Sequence, residues 1–380
     1  MRILMMTDAT ENPDSGAAGT EYQTANALRE LGHEVDAIWA NRLPRRLSHG
    51  NLHYLLELPI TYRARMLERL QAQRYDVVHV SQPHGYLAAH AAKRLPNRPV
   101  FVHRSHGFEP RIKAVLAGWR QLQPRTSLLR AAASHAMASL LDINNRAIVR
   151  YADGHLVSAQ LCATYLHQCC GVQRARIAVV PQAPPSAFQD IPPPRFDESR
   201  LDRILYVGQL AFFKAPMVLA EAFELVLAQR PQARLTWVCA APQQRQAAAL
   251  FGPLARERVT FLDWGAQRQL MDIYDSHGVF LFPSFFEGFG KAFLEAMARG
   301  LLVVASDEGG ARDLIEQGKN GYLVPVGDAK AMAQACVAFQ SGGVDARQVS
   351  ANARRTALLY TWRRVAQETA DFYNRLIAQR

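Results

Sequence analysis

The sequence predicts an α/β protein made of two Rossmann-like units, each with a parallel sheet. Three observations predict it. Short apolar runs rich in β-branched residues alternate with helical patterns. The alternation stops at a proline-rich stretch and then starts again. The length, 380 residues, suits two domains at about 100–200 residues each.

The elements follow in order. Arg2–Thr7 is an apolar strand, and a loop with Gly16 and Gly19 follows it. A helical pattern over Tyr22–Leu31 ends at Gly32, a residue suited to close a helix. His33–Trp39, Asp76–Val80 and Val100–His103 read as further strands, with helical stretches near 60–74, 84–95 and 111–150. Residues 180–196 hold six prolines and form the expected linker, because proline removes backbone donors and blocks helix. After it come strands at Arg203–Val207, Arg234–Cys239, Arg258–Leu262, Gly278–Phe282 and Leu302–Ala305, with a helix over Ala215–Gln229. The last 20 residues, from Thr361, form an amphipathic helix. The expected domains are 1–185, with 361–380 packing back on it, and 198–360. Two such units facing each other leave a cleft at the carboxyl ends of their sheets, where open α/β sheets bind ligands.

Composition excludes several classes. Hydrophobic residues make up 49% of the chain, enough for sizeable cores and unlike a disordered protein. No apolar run of about 18 residues exists to form a spanning helix. The N-terminus MRILMMTDATENP turns polar too early for a signal peptide, so a cytoplasmic location is expected. The five cysteines, Cys162, Cys169, Cys170, Cys239 and Cys336, fit no disulfide or metal pattern. The net charge of +11 is concentrated: residues 42–150 carry 18 basic and 5 acidic groups. Such a segment suits nucleic acid, anionic lipid or an acidic substrate, or is a solvated surface.

The strongest motif is Phe282–Gly300, FPSFFEGFGKAFLEAMARG: strand end, glycine turn, helix. Gly288 and Gly290 let a ligand approach the backbone. The helix that starts near Gly290 offers amides and a partial positive charge suited to a diphosphate. Glu287 lies in the turn and Glu295 in the helix's second turn. Carboxylates repel phosphate, so ribose and sugar hydroxyls are their natural partners. The plainer alternative is a βα turn with two solvated acids. A second element, Tyr206–Lys214, ends a strand at Gly208 and delivers Lys214. A third, Asp14–Gly19, is a turn of small residues that does not read G-x-G-x-x-G, which argues against a dinucleotide dehydrogenase. A fourth, Val102–Glu109, places His106 just beyond a strand; Arg104 and Glu109 are weaker candidates there.

Together these segments resemble the retaining glycosyltransferases of family 4, the group 1 glycosyltransferases. The acidic pair matches their E-x7-E signature. Val303–Ser306, Gly309-Gly310, Asn320-Gly321 and Gly327-Asp328 match the VVAS, GG, NG and GD elements beyond it. The resemblance implies the GT-B fold, with two Rossmann-like domains facing across a cleft and the C-terminal helix crossing back to the first. It implies a nucleotide-diphosphate sugar as donor substrate, with no cofactor and no metal. It places Glu295 on the ribose and Glu287 at the donor sugar, with the amides of Gly288, Phe289 and Gly290 near sugar hydroxyls and phosphate. Lys214 grips the diphosphate, His106 lies near the sugar and phosphate, and Gly16 and Gly19 line the opposite wall. Gln209 stands where the family has arginine, which removes a positive charge from the leaving group's surroundings. Pro181-Gln-Ala183, Cys239–Pro242 and Gly300–Leu302 also depart from the family's Pro-Asn-Gly, G-x-G and Gly-x-Pro.

The implied reaction is hexosyl transfer with retention, by attack on the same face as departure. Arginines 63, 65, 69, 74, 111, 120, 125 and 130, with Lys113, interleave with Met66, Leu67, Leu116 and Trp119. That mixture suits a peripheral site on the anionic inner face of a membrane, and so a lipid-linked or lipopolysaccharide-type glycan acceptor. The alternatives are a phosphorylase or epimerase of the same fold, or a nucleotide-sugar-binding protein that has lost turnover. Nucleic acid is not expected as a partner, since no recognition motif accompanies the charge.

Overall fold

The computed structural model describes residues 1–12, 17–122, 128–342 and 344–380. The chain is α/β and divides into two compact units: Met1–Pro181 with Trp362–Arg380, and Gln182–Thr361.

The first unit holds strands β1 (Arg2–Met6), β2 (Glu34–Ile38), β3 (Val77–Ser81), β4 (Val100–Arg104), β5 (Gly154–Val157) and β6 (Ile177–Val179). They form a parallel sheet in the order β2-β1-β3-β4-β5-β6. Its helices are α1 (Ala17–Glu30), α2 (Gly50–Leu52), α3 (Leu58–Ala72), α4 (Tyr86–Ala92), α5 (Glu109–Ala117), α6 (Leu128–Tyr151) and α7 (Gln160–Cys170). Alternation along the strands sets the two faces. Leu4, Met6, Val78, Val80 and Phe101 face Tyr62, Met66 and Ile148 in one core. The helical stretch expected over 111–150 is two helices, broken after Ala117. Two residues expected on a membrane-facing surface are interior: Met66 is fully buried in this core, and Arg111 is buried too.

The second unit holds β7 (Arg203–Val207), β8 (Arg234–Val238), β9 (Val259–Leu262), β10 (Val279–Phe282), β11 (Leu302–Ser306) and β12 (Tyr322–Val324). This sheet is also parallel, in the order β12-β11-β10-β7-β8-β9. Its helices are α8 (Ser186–Asp190), α9 (Pro216–Gln229), α10 (Ala241–Ala248), α11 (Pro253–Arg256), α12 (Gln267–Asp275), α13 (Lys291–Ala298), α14 (Gly309–Leu314), α15 (Ala329–Gln340) and α16 (Ala346–Leu358). Strand order reverses between β7 and β10. Chains leaving adjacent strands at such a point turn to opposite faces and open a crevice at the carboxyl edge.

The proline-rich stretch expected as a linker is held against the second unit. Phe188 is fully buried in its core and packs edge-on against Tyr274. Buried Arg299 donates to the carbonyls of Phe188, Ile191 and Pro192 at 3.2, 2.5 and 3.3 Å. A proline-rich stretch is short of amide donors but keeps its carbonyls, and one guanidinium satisfies three of the carbonyls of this stretch.

Helix α17 (Trp362–Ala378) belongs to the first unit, where it contacts α1 and β4. Beyond it, Arg380 donates to the carbonyls of Arg98 and Pro99 and to Asp153. Gly154 makes the close packing possible: a Cβ there would lie 2.5 Å from Leu376 Cδ1 and 2.7 Å from Phe372 Cζ. Gly154→Ala is therefore expected to destabilise the first unit by about 1–3 kcal/mol through overpacking. An unchanged urea midpoint would show that α17 does not pack on β5.

Candidate active site

The second unit's site forms at the β7/β10 switch point. Gly208 follows β7, where a Cβ would come within 2.6 Å of the Tyr206 hydroxyl, and its carbonyl accepts from Trp237 Nε1 at 2.8 Å. A short turn then delivers Lys214. Ala215 closes that turn at φ +49°, a left-handed conformation that costs a non-glycine residue roughly 1–2 kcal/mol. Strain of this kind collects at functional sites. The loop after β10 is tied to it, since the amides of Phe285 and Phe286 both bond to the Phe213 carbonyl, at 2.9 and 3.2 Å. Across this tie the Lys214 ammonium pairs with Glu287 Oε1, which also accepts from Ser284 Oγ at 2.8 Å. The rings of Phe213 and Phe282 lie 5.5 and 5.6 Å from Lys214 Nζ, within cation–π range.

The turn continues through buried Gly288 and Phe289 to Gly290, the residue preceding α13. Gly290 has φ +91°, and a Cβ there would lie 2.6 Å from the Phe282 ring, so only glycine fits. Gly309 and Gly310 back this turn. A Cβ on Gly309 would approach Glu287 Cβ at 2.5 Å, and the Gly310 amide donates to the Phe289 carbonyl at 2.9 Å. The GG element is thus the surface on which the Glu287 turn rests.

Glu295 lies in the second turn of α13 and is 6% exposed. Tyr274 donates to its Oε2 at 3.0 Å, and Lys291 Nζ lies 4.0 Å from Oε1. Burial pushes its pKa up, and Lys291 and Tyr274 offset only part of that rise. Gln209 is exposed just beyond β7, and its side chain has no partner among the described residues.

In the first unit, His106 follows β4 and Nε2 lies 2.7 Å from Glu21 Oε1. Gly19 is in the first turn of α1, buried, rather than in the expected loop. That helix starts at Ala17, five residues before the predicted Tyr22. Gly16 lies outside the described residues, as does the side chain of Glu109. Arg104 is inside, 1% exposed, not a surface residue. Lys214, Glu287, Gly288, Phe289, Gly290 and Glu295 are therefore brought together on one sheet edge, and His106 stands on the corresponding edge of the other sheet.

Sequence reasoning missed Ser284, Tyr274, Glu308 and Glu21. Glu308 Oε1 meets the Glu287 amide at 3.4 Å. Glu21 alone left a signal: an acid on the otherwise small and apolar stripe of α1 with Thr24, Ala25 and Leu28.

Residues 202–341 match the family described as "Glycosyl transferases group 1", and residues 15–183 match "Glycosyltransferase Family 4". The chain belongs to the group 1, family 4 glycosyltransferases. A GDP-mannose-dependent alpha-mannosyltransferase of Mycobacterium tuberculosis is 26% identical over 100% of this chain and 98% of its own. A D-inositol 3-phosphate glycosyltransferase of Streptomyces avermitilis is 29% identical over 44% of this chain; the matched part spans 39% of that relative. Among solved structures, a sucrose-phosphate synthase from Thermosynechococcus elongatus superposes with a TM-score of 0.78 at 21% identity, covering 100% of both chains. This glycosyltransferase accordingly has the GT-B fold.

Its buried Glu295 has a consequence for stability. A carboxyl whose folded pKa is raised contributes stability that is full below its ordinary value of 4.5 and is lost as pH rises. Glu295→Gln is therefore expected to raise the melting temperature at pH 7, with the gain vanishing near pH 4. A variant less stable than the parent at pH 7 would contradict the burial account.

Proposed function

We propose that this glycosyltransferase moves a hexosyl group, with retention and without a metal, from a nucleotide-diphosphate sugar to a glycan or glycolipid acceptor. The observation that carries the reading is the junction of Lys214, Glu287 and the α13 N-terminus at the β7/β10 switch point. In the reaction the bond between the anomeric carbon and the diphosphate oxygen breaks. Negative charge builds on the leaving oxygen and positive character on the sugar ring. Lys214 has three N–H donors, one of them engaged by Glu287, so two remain for phosphate oxygens. The amides of Gly288, Phe289 and Gly290 and the helix N-terminus would add positive potential where that charge develops. Glu287 would accept from sugar hydroxyls and Glu295 from ribose hydroxyls. Same-face attack, with the departing phosphate taking the acceptor's proton, needs no protein nucleophile.

The acceptor reading rests on the first unit's surface. No helix among the described residues is long and apolar enough to cross a membrane. Leu56 and Ile60, 52% and 62% exposed, stand four residues apart on consecutive turns, with exposed Arg63 and Arg65 beside them. Apolar side chains flanked by arginines fit an anionic bilayer and thus a lipid-linked acceptor at the cytoplasmic face, of the kind used in polysaccharide or lipopolysaccharide assembly. A second reading, a nucleotide-sugar-binding protein with little turnover, is favoured by the neutral Gln209. Donor hydrolysis or transfer by the parent protein then separates the two, with ready turnover in the first reading and binding with little turnover in the second.

Screening UDP-, GDP- and ADP-sugars by thermal shift is expected to find one donor that stabilises the chain by about 2.7 kcal/mol at a hundredfold excess over Kd. Glu295→Ala abolishes that shift. Lys214→Ala lowers kcat by about 10²–10³-fold while the fold is kept. Failure of every nucleotide sugar to bind would end the reading, and a product of inverted configuration would end the retaining mechanism. For the surface, Ile60→Asp is expected to release the protein from phosphatidylglycerol vesicles in flotation; parent protein that ignores such vesicles at low salt would remove the membrane from the proposal.

A further inference from the structure

Helix α1 carries a carboxylate on its buried face. Glu21 is 1% exposed and meets three side chains, from the end of β4 and just beyond it, and from β3. Its Oε1 lies 2.7 Å from His106 Nε2 and 3.8 Å from Arg104 Nε. Its Oε2 lies 3.6 Å from His79 Nε2, a packing contact longer than a hydrogen bond. His79 Nδ1 is in turn hydrogen-bonded to the Tyr373 hydroxyl of α17. Glu21 is therefore bonded to the residue beyond β4 and packed against β3, whose His79 is bonded to the C-terminal helix.

Such an arrangement fixes protons as well as positions. Burial pushes Glu21 up, but the hydrogen bond from His106 and the field of His79, His106 and Arg104 outweigh it and hold the carboxyl well below its ordinary range. An ionised carboxylate only accepts, so the proton of the Glu21–His106 bond lies on His106 Nε2. Burial lowers His79 to about 4, so that ring is neutral near pH 7. A lone pair on its Nε2 would face the carboxylate. The favourable tautomer has Nε2–H toward Glu21 and Nδ1 accepting from Tyr373. His106 Nδ1 is buried and has no hydrogen-bond partner among the described residues. Glu21 Oε2, His79 Nε2 and the Arg104 nitrogens also lack hydrogen-bond partners among these residues, but His106, at 9% exposed, is the least enclosed of these side chains, so its Nδ1 is the atom a ligand would satisfy.

We infer that Glu21 is a positioning residue: by accepting from His106 Nε2 it locks that proton and the ring's orientation, leaving Nδ1 as the face offered to the substrate, while Tyr373 acts through His79 to hold Glu21 in register. The inference rests on the proposed reading of His106 as a donor-facing group. It makes helix α17, 267 residues along the chain from His106, part of what sets that imidazole. The competing role for Glu21 is only to neutralise Arg104, and then the proton placement on His106 would not depend on it.

Long-range ¹H–¹⁵N correlation spectra of the full chain labelled with ¹⁵N-histidine decide between these roles, with His106 assigned by its loss in His106→Asn. The parent is expected to show a proton fixed on Nε2 and no neutral Nδ1–H tautomer at pH 7.5. Glu21→Gln, which can donate or accept, is expected to mix the two tautomers, and Tyr373→Phe to move the spectrum part of the way. A parent ring in the Nδ1–H form, or a folded Glu21→Gln with parent His106 signals, overturns the inference. Should Glu21→Gln fail to fold, the parent and Tyr373→Phe spectra still decide it; Tyr373→Phe signals identical to the parent's then overturn the relay. None of these measurements needs a donor, so they fail independently of the proposed function. With the donor from the thermal screen, Glu21→Gln is expected to lower kcat by about 10–100-fold with KM nearly unchanged, the size of loss seen when metal-ligating histidines lose the partner that orients them.

Discussion

The insertion of β10 beside β7 governs the second unit. Parallel strands need crossovers, and crossovers that leave neighbouring strands for opposite faces part at the carboxyl edge. Here the parting brings the Lys214 loop and the Glu287 loop side by side, and the paired amides of Phe285 and Phe286 on the Phe213 carbonyl stop them separating. The ion pair between them has side chains only 17% and 8% exposed. Pairs that far from water gain little net stability, because desolvation of both ions offsets most of their attraction. Their value is geometric. The pair holds an ammonium among the rings of Phe213 and Phe282, where a lone cation would otherwise turn outward, and keeps two of its hydrogens available.

The same logic explains what could be read from residue order and what could not. β1 to β4 and β7 to β11 are apolar runs bounded by polar or turn residues, so alternation alone marks them. β6 and β12 have only three residues each, too few for a period to show, and β5 opens with a glycine and a histidine that leave no apolar run. The stretch 180–196 looked like a linker because its prolines forbid regular structure. Its attachment depends on Arg299, more than a hundred residues away, whose hydrogen bonds no local pattern announces. Glu287 and Glu295 were legible because one turn and one helix carry both, with spacing fixed by local geometry. Their partners Ser284 and Tyr274 were not, since a serine or tyrosine hydroxyl has no signature until a carboxylate is placed beside it. Gly19 was misplaced for a related reason: a glycine near a turn signals a loop, yet it fits equally well where a helix packs closely.

Two buried carboxylates, one in each unit, are handled in opposite ways, and the difference bears on what each does. Glu21 is surrounded by His106, His79 and Arg104, and the balance of those interactions keeps it ionised. Its carboxylate's one hydrogen bond among the described residues goes to His106, a side chain that it thereby orients. Glu295 has one hydroxyl donor and a lysine at 4.0 Å, and burial prevails over both. A carboxylate accepts up to about four hydrogen bonds, so Glu295 retains acceptor capacity in a place where water is scarce. Neutral hydroxyls suit that deficit better than a cation does, since they bring donors without another charge to desolvate. The ribose of a nucleotide presents two such hydroxyls side by side, and under the proposed function its binding would relieve the cost that leaves Glu295 destabilising in the empty protein. The surroundings thus separate the two: basic side chains keep Glu21 ionised, whereas a hydroxyl and a distant lysine do not offset the burial of Glu295.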